Sequence, residues 1–172
     1  GIRDQPRSRG LGDVYKRQVS KEFAESLVTD EVRCVAASKK NVWVGTQRGV
    51  SRYNIGKDTW KTITEEDGLA SNEVSCITID HIRVWFGSDR GVTVYDEETE
   101  NWITYTDHSG LASNQVTTIG IDGIGVWIGT YDAGVSWFNR ETNHWTTYTR
   151  EDGLLSLIHI SEPTRPRLIS YA

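Results

Sequence analysis

Val84-Trp85-Phe86-Gly87-Ser88-Asp89-Arg90-Gly91-Val92 is the stretch on which the reading of this chain turns, because near-copies stand on either side of it. Val42-Trp43-Val44-Gly45-Thr46 lies 42 residues before, and Val126-Trp127-Ile128-Gly129-Thr130 lies 42 residues after. The agreement spreads outward from each phrase. Val32, Val74 and Val116 precede it, Trp60, Trp102 and Trp145 follow it, and Gly68-Leu69, Gly110-Leu111 and Gly153-Leu154 close each unit. One residue of drift enters where Gln47-Arg48-Gly49 and Asp89-Arg90-Gly91 become Tyr131-Asp132-Ala133-Gly134. A fixed period of this length predicts an array in which each unit buries its apolar surface on its neighbours.

The middle unit shows what each repeat builds. Val74-Ser75-Cys76-Ile77-Thr78-Ile79 is rich in β-branched residues on both faces, as a strand covered on both sides should be. Asp80 to Arg83 turns the chain into Val84-Trp85-Phe86-Gly87, and Ser88 to Gly91 turns it again into Val92-Thr93-Val94-Tyr95. A polar connection leads to Trp102-Ile103-Thr104-Tyr105-Thr106. Four short antiparallel strands with no helical period predict an all-β fold: an open β-propeller fragment of three four-stranded blades, at about 31–69, 73–111 and 115–154. Residues 19–30 read as the remnant of a preceding blade, with Leu27 standing where Leu69 stands.

The two ends read differently. Residue i and residue 173 − i can be written as reverse-complementary codons for all eighteen pairs from Gly1 with Ala172 to Gln18 with Leu155. One DNA segment read on opposite strands therefore flanks the repeats, and both ends resemble translated sequencing-adapter DNA. Residues 1–18 and 155–172 are accordingly expected to be an artefactual leader and tail. Arg3, Arg7, Arg9, Lys16 and Arg17 are then no nucleic-acid-binding arm.

Setting the ends aside removes seven of the nineteen basic and three of the twenty-four acidic residues, so residues 19–154 carry a net charge of −9. That surface repels a polyphosphate, which argues against nucleic acid as a partner. All seven tryptophans lie in the repeats and all three prolines in the ends, a composition suited to packed sheets. No apolar run approaches bilayer length, so no membrane contact is expected within the segment. Cys34 and Cys76 hold one place in two successive repeats, too far apart for a disulfide, and are expected to be free thiols.

The phrase at 84–92, with Trp102, Tyr105-Thr106 and Gly110-Leu111-Ala112-Ser113-Asn114, resembles the two-component regulator propeller repeat across nearly all of residues 27–154. The resemblance implies an extracytoplasmic sensor region of a bacterial histidine kinase or related receptor, built of more blades than these three. It also implies a ligand, commonly a carbohydrate fragment. Three blades leave two faces without a neighbour, so the missing blades of the same polypeptide are the first expected partners.

Within that frame the recurring residues have structural roles. Trp43, Trp85 and Trp127 are expected in the interblade core rather than as a sugar-stacking platform. Gly45, Gly87 and Gly129 are expected to permit a close approach or kink beside the indole. Leu69 and Leu111 should plug the seams, while Asn72 and Asn114 should bond their own loop backbone. A propeller takes ligands on the face made by the links and by the turns between second and third strands. That places Gln47, Arg48, Asp89, Arg90, Tyr131 and Asp132 as ligand-binding candidates. Arg48 and Arg90 read either as part of a guanidinium ring facing an anionic or hydroxyl-rich ligand or as solvated turn residues, the second being favoured. Trp137 is the one indole outside the period and a candidate for a local contact.

No catalytic or metal constellation emerges, and no cofactor is expected. His81, His108 and His144 occupy unrelated repeat positions, and Asp80 and Asp122 fit Asx-turns. Two other readings stand beside the sensor: a streptogramin-lyase-like propeller enzyme, or a protein-interaction scaffold.

Overall fold

The computed structural model describes residues 27–153. The expectations for residues 1–18, for 19–26 of the preceding-blade remnant and for 154–172 lie outside the described residues. Twelve strands form three four-stranded sheets, each an antiparallel meander in chain order. The first holds β1 (Val32–Ala37), β2 (Asn41–Thr46), β3 (Val50–Asn54) and β4 (Thr59–Ile63). The second holds β5 (Val74–Asp80), β6 (Arg83–Ser88), β7 (Gly91–Asp96) and β8 (Trp102–Tyr105). The third holds β9 (Val116–Ile121), β10 (Gly125–Thr130), β11 (Val135–Asn139) and β12 (His144–Tyr148). The fold is therefore all-β and propeller-like, with no sheet closed into a barrel.

Single 3-10 turns follow each outer strand, at Glu65–Asp67, Asp107–Ser109 and Arg150–Asp152. Each is started by a threonine, Thr64, Thr106 or Thr149, that shares a reciprocal capping box with the turn's last residue. Asn72 and Asn114 then bind the links back on themselves. Their side-chain oxygens accept the Glu65 and Asp107 backbone N–H groups at 2.9 and 2.8 Å.

The sheets meet in two seams, and each seam is one apolar cluster. The first joins Trp43, Val50 and Ile63 of one sheet to Val74, Ile77, Val84, Phe86 and Tyr95 of the next, with Leu69 of the link between them. The second repeats the arrangement with Trp85, Val92, Leu111, Val116, Ile119, Val126, Ile128 and Phe138. The rear face of one sheet thus lies on the front face of the next. Each rear indole meets aromatic rings across its seam: Trp43 with Phe86 and Tyr95 at 5.4 Å, Trp85 with Phe138 at 6.0 Å. Nearer the inner strands, the Ser75 and Thr78 hydroxyls donate to the Val116 and Ile119 carbonyls at 2.6 and 2.9 Å, joining β5 to β9.

A buried hydroxyl on every third strand holds the link that enters its sheet. Ser51, Thr93 and Ser136 accept the backbone N–H of Val28, Ala70 and Ala112 at 3.1, 2.9 and 2.8 Å. Val28 directly follows Leu27, so the described end of the 19–30 segment meets the first sheet as the later links meet theirs.

The close approach at Gly45 and Gly87 is made by a thiol of the neighbouring strand: a Cβ at either would strike the Sγ of Cys34 or Cys76. The ladder carries a bulge beside each cysteine, which brings the thiol over the glycine. Gly129 faces the Thr118 methyl in the same way. Trp127 is 38% exposed on the rear face of the third sheet, which no other described sheet covers, so the interblade seam expected for it lies outside the described residues. It stacks within its own sheet, on Trp137 at 5.9 Å and Tyr148 at 5.6 Å.

Candidate functional site

The face made by the links and by the turns after β2, β6 and β10 carries the candidates named from the sequence. In each turn the last residue of the second strand sets the geometry. The hydroxyls of Thr46, Ser88 and Thr130 donate to the carbonyls of Gly49, Gly91 and Gly134 at 2.8, 2.9 and 2.8 Å. Those glycines have φ of 119°, 126° and 83°, a region that L side chains seldom adopt. The turns therefore project residues 47–48, 89–90 and 131–132 outward, and all six are exposed.

The candidates do not form one constellation. Arg90 pairs with Glu65 of the preceding link at 3.5 Å, with both side chains well exposed. Glu65 in turn accepts the Asn72 backbone N–H at 3.1 Å. Arg90 thus sits in a solvated ion pair on a loop, of the kind that contributes little energy. Arg48 has no ion-pair partner among the described residues, and Asp132 occupies the matching turn position in the third sheet. A ring of three guanidinium groups is therefore not present among these blades.

Tyr131 and Asp132 are brought together with residues that the sequence did not single out. They border an open cleft of about 830 Å³ with Ala112, Thr147, Arg150 and Glu151. Tyr131 is 78% exposed, and its backbone N–H donates to the Gln115 carbonyl at 2.8 Å, which fixes the turn to the incoming link. The exposed phenol of Tyr131, the carboxylates of Asp132 and Glu151 and the guanidinium of Arg150 give this cleft stacking and hydrogen-bonding capacity for a polyhydroxylated ligand. Arg150 and Glu151 escaped the sequence reading because their repeat positions hold unrelated side chains, Glu65 and Glu66 in one link and Asp107 and His108 in the next. Gln47, Arg48, Asp89 and Arg90 do not border this cleft. Trp137 does not reach it either: it pairs in register with Trp127 across β10 and β11.

The opposite face holds the turns between first and second strands. Asp122 forms an Asx-turn there, accepting the backbone N–H groups of Ile124 and Gly125 at 2.7 and 2.6 Å and the Trp127 indole N–H at 2.7 Å. Those donors hold its carboxyl below the usual carboxylate range, the Gly125 and Ile124 N–H groups most strongly. Asp80, expected to do the same, instead pairs with Arg140 of the third sheet. The reason is reach: Arg140 projects from the neighbouring turn straight over the seam.

Both cysteines are free and half-buried. Burial, with a smaller contribution from the nearby Cys76, pushes the Cys34 thiol up to about 11, so it is a poor nucleophile at neutral pH. Among the described residues no group of three or more His, Cys, Asp or Glu side chains is placed to hold a metal ion. No described helix is long and apolar enough to cross a membrane.

No family model matches the chain, and no curated protein is significantly similar to it. Solved structures do match. The extracellular domain of a protein assigned to a hybrid two-component system of B. thetaiotaomicron, BT3049, superposes with a TM-score of 0.65 at 23% identity, over 74% of this chain and 19% of that one. The extracellular domain of BT4673, assigned to a second such system from the same organism, gives 0.61 at 21% identity, over 73% and 19%. The computationally designed protein Ika4 gives 0.54 at 18% identity, over 69% and 72%. This chain thus spans about a fifth of the length of the two natural domains, and what it shares with all three is the fold.

Proposed function

We propose that these blades belong to the ligand-sensing propeller of a bacterial two-component sensor or related receptor, that they lie outside the cytoplasm, and that they have no catalytic role. The ligand is a carbohydrate or another small polar molecule, taken up on the link face, with further blades of the same polypeptide completing the site. The observation that carries this reading is the cleft bordered by Tyr131, Asp132, Arg150 and Glu151, set on the open face of a fold shared with extracellular domains of two-component systems. Its polar groups are exposed and its aromatic ring is free to stack, as a sugar site requires.

Isothermal titration of a panel of neutral and acidic oligosaccharides tests it, run on the 172-residue chain and on a polypeptide extended by its neighbouring blades. Saturable heat lost on Tyr131→Ala and Asp132→Ala would support the sensor reading. Heat that survives both substitutions, or no heat with any glycan on the extended polypeptide, would overturn it.

A further inference from the structure

Each seam joins a front face to a rear face, and one face of each kind has no described sheet against it. On the front of the second sheet, Ile77, Val84, Phe86 and Tyr95 are buried against the rear of the first. Val35, Val42, Val44 and Tyr53 hold the same places on the front of the first sheet. Tyr53 and Trp60 lie 5.0 Å apart there, as Tyr95 and Trp102 lie 4.4 Å apart in the next sheet. Val35 is 59% exposed where Ile77 is 8% exposed. The rear faces repeat in the same way. Val50 and Ile63 pair across strands beside Trp43, Val92 and Tyr105 beside Trp85, and Val135 and Tyr148 beside Trp127. Val50 and Val92 are fully buried, whereas Val135 is only partly covered.

The polar margin of each seam decides which front suits which rear. The residue that follows the third strand of the front sheet is Ile55, Glu97 or Arg140. All three are anchored alike, their backbone N–H groups donating to the carbonyls of Lys40, Ile82 and Ile124 at 2.9, 2.8 and 3.3 Å. Glu97 reaches back over the first seam to the Ser38 hydroxyl, the Asn41 amide and the Trp43 indole N–H. Arg140 reaches back over the second to Asp80. The rear of the third sheet asks for neither. Gly125 stands where Asn41 stands, and Asp122, in the place of Ser38, already accepts the Trp127 indole N–H at 2.7 Å. Asp122 also accepts the backbone N–H groups of Ile124 and Gly125. Ile55, 48% exposed, is what the first sheet offers at this place. An apolar side chain laid over that margin strands no indole donor.

We propose that the 172-residue chain associates head to tail: the rear face of the third sheet receives the front face of the first sheet of a second copy, making a third seam of the same kind. Val35, Val44 and Tyr53 of one copy then cover Trp127, Val135 and Tyr148 of the other, with Ile55 at the margin. Burial of those apolar groups drives the contact, as it does in the two seams within the chain. The contact is heterologous, so each chain keeps one further face of each kind and several copies can join. A neighbouring blade of a longer polypeptide would take the same faces and displace the second copy. The link face has no part in the contact, so this proposal is independent of the glycan reading above.

Sedimentation velocity of the whole chain between about 5 and 200 µM tests it. Species of two or more chains should gain share as the concentration rises. Val35→Glu places a charge on the front face at an exposed position. Gly120→Glu places one on the rear face, opposite Trp127 in the ladder, where an added Cβ meets nothing closer than 3.9 Å. Each variant alone should be monomeric over the whole range. Mixed in equal amounts, the two should form a dimer of one copy of each and nothing larger, because one intact front meets one intact rear. An isologous pairing of two fronts or two rears would instead leave one variant associating by itself. A parent chain that is monomeric throughout, a variant that associates as the parent does, or a mixture of folded variants that stays monomeric would each overturn the proposal. If either variant fails to fold, the concentration series on the parent and the other variant still decides it.

Discussion

The carboxylate of Glu97 crosses the first seam to accept the indole N–H of Trp43 at 3.3 Å. The same oxygen accepts the Asn41 amide at 2.8 Å and the Ser38 hydroxyl at 3.1 Å. At the matching position in the next sheet stands Arg140, which pairs with Asp80 and cannot accept anything. Trp85, the counterpart of Trp43, accordingly has a buried N–H with no hydrogen-bond partner among the described residues. One position thus chooses between two ways of locking a seam, a carboxylate gathering three donors or a single ion pair.

Glu97→Ala should therefore destabilise the first seam by about 1–3 kcal/mol, because it strands buried donors that carboxylate now satisfies. Glu97→Gln, which keeps an acceptor, should recover roughly half of the loss. Urea unfolding followed by tryptophan fluorescence measures both. A loss for Glu97→Ala within error of a surface substitution would show that the Trp43 contact is incidental.

The exposure difference between Trp43 and Trp127 leads to a second expectation. Trp43 is fully buried against two aromatic rings, so Trp43→Ala should cost about 3–5 kcal/mol and leave the chain poorly folded. Trp127 sits at the same repeat position but keeps 38% of its surface in water, and its partners lie in its own sheet. Trp127→Ala should cost less than half as much. Matched unfolding curves decide this, and equal losses would mean that the rear face of the third sheet is as well covered as the seams.

Much of this was legible from residues 84–92 and their two copies. The period carried the sheet count, the turn glycines and the seam leucines, because each is demanded by local backbone geometry or by a face that every blade must bury. The buried hydroxyls of Ser51, Thr93 and Ser136 also recur at 42 and 43 residues, and that signal could have been read as the hold on each link. What could not be read is the pairing across a seam. Ile55, Glu97 and Arg140 share one repeat position and have nothing chemical in common, so periodicity hides their role. Only the stacked sheets show that Glu97 reaches Trp43 and that Arg140 reaches Asp80. The link-face cleft was half legible for the same reason: Tyr131 and Asp132 stand out as the break in the repeat, whereas Arg150 and Glu151 come from a 3-10 turn beyond the last strand.

The pH dependence of the third sheet follows from Asp122. Its carboxyl is held low by the Gly125 and Ile124 backbone N–H groups first and the Trp127 indole next. A depressed carboxyl contributes stability that is fully present above its unfolded value, about 3.9, and lost as pH falls through the lower folded value. Thermal unfolding at pH 6 should therefore separate the protein from Asp122→Ala more widely than at pH 3. Trp127 emission should shift over the same acidic range, since its N–H loses a charged acceptor. A gap between the two proteins that is constant from pH 6 to 3 would remove Asp122 from the account.

The hairpins joining third and fourth strands carry the last expectation. Asp58, Glu100 and Asn143 occupy the same place in their turns, with φ of 52°, 58° and 54°. Left-handed backbone at a residue with a Cβ costs roughly 1–2 kcal/mol, and asparagine and aspartate bear it better than glutamate. The turn geometry is imposed by its neighbours: Asp96 fixes the backbone N–H groups of Glu98 and Thr99, and Glu100 donates its own N–H to the Asp96 carbonyl at 2.9 Å. Glu100 is exposed, so its side chain can change without disturbing a seam. Glu100→Asn should then stabilise the chain by about 0.5–1 kcal/mol, while Asn143→Glu should lose a comparable amount. Calorimetric melting of the two variants beside the parent protein makes the comparison. If both moved the same way, the left-handed backbone would not be what sets the stability of these turns.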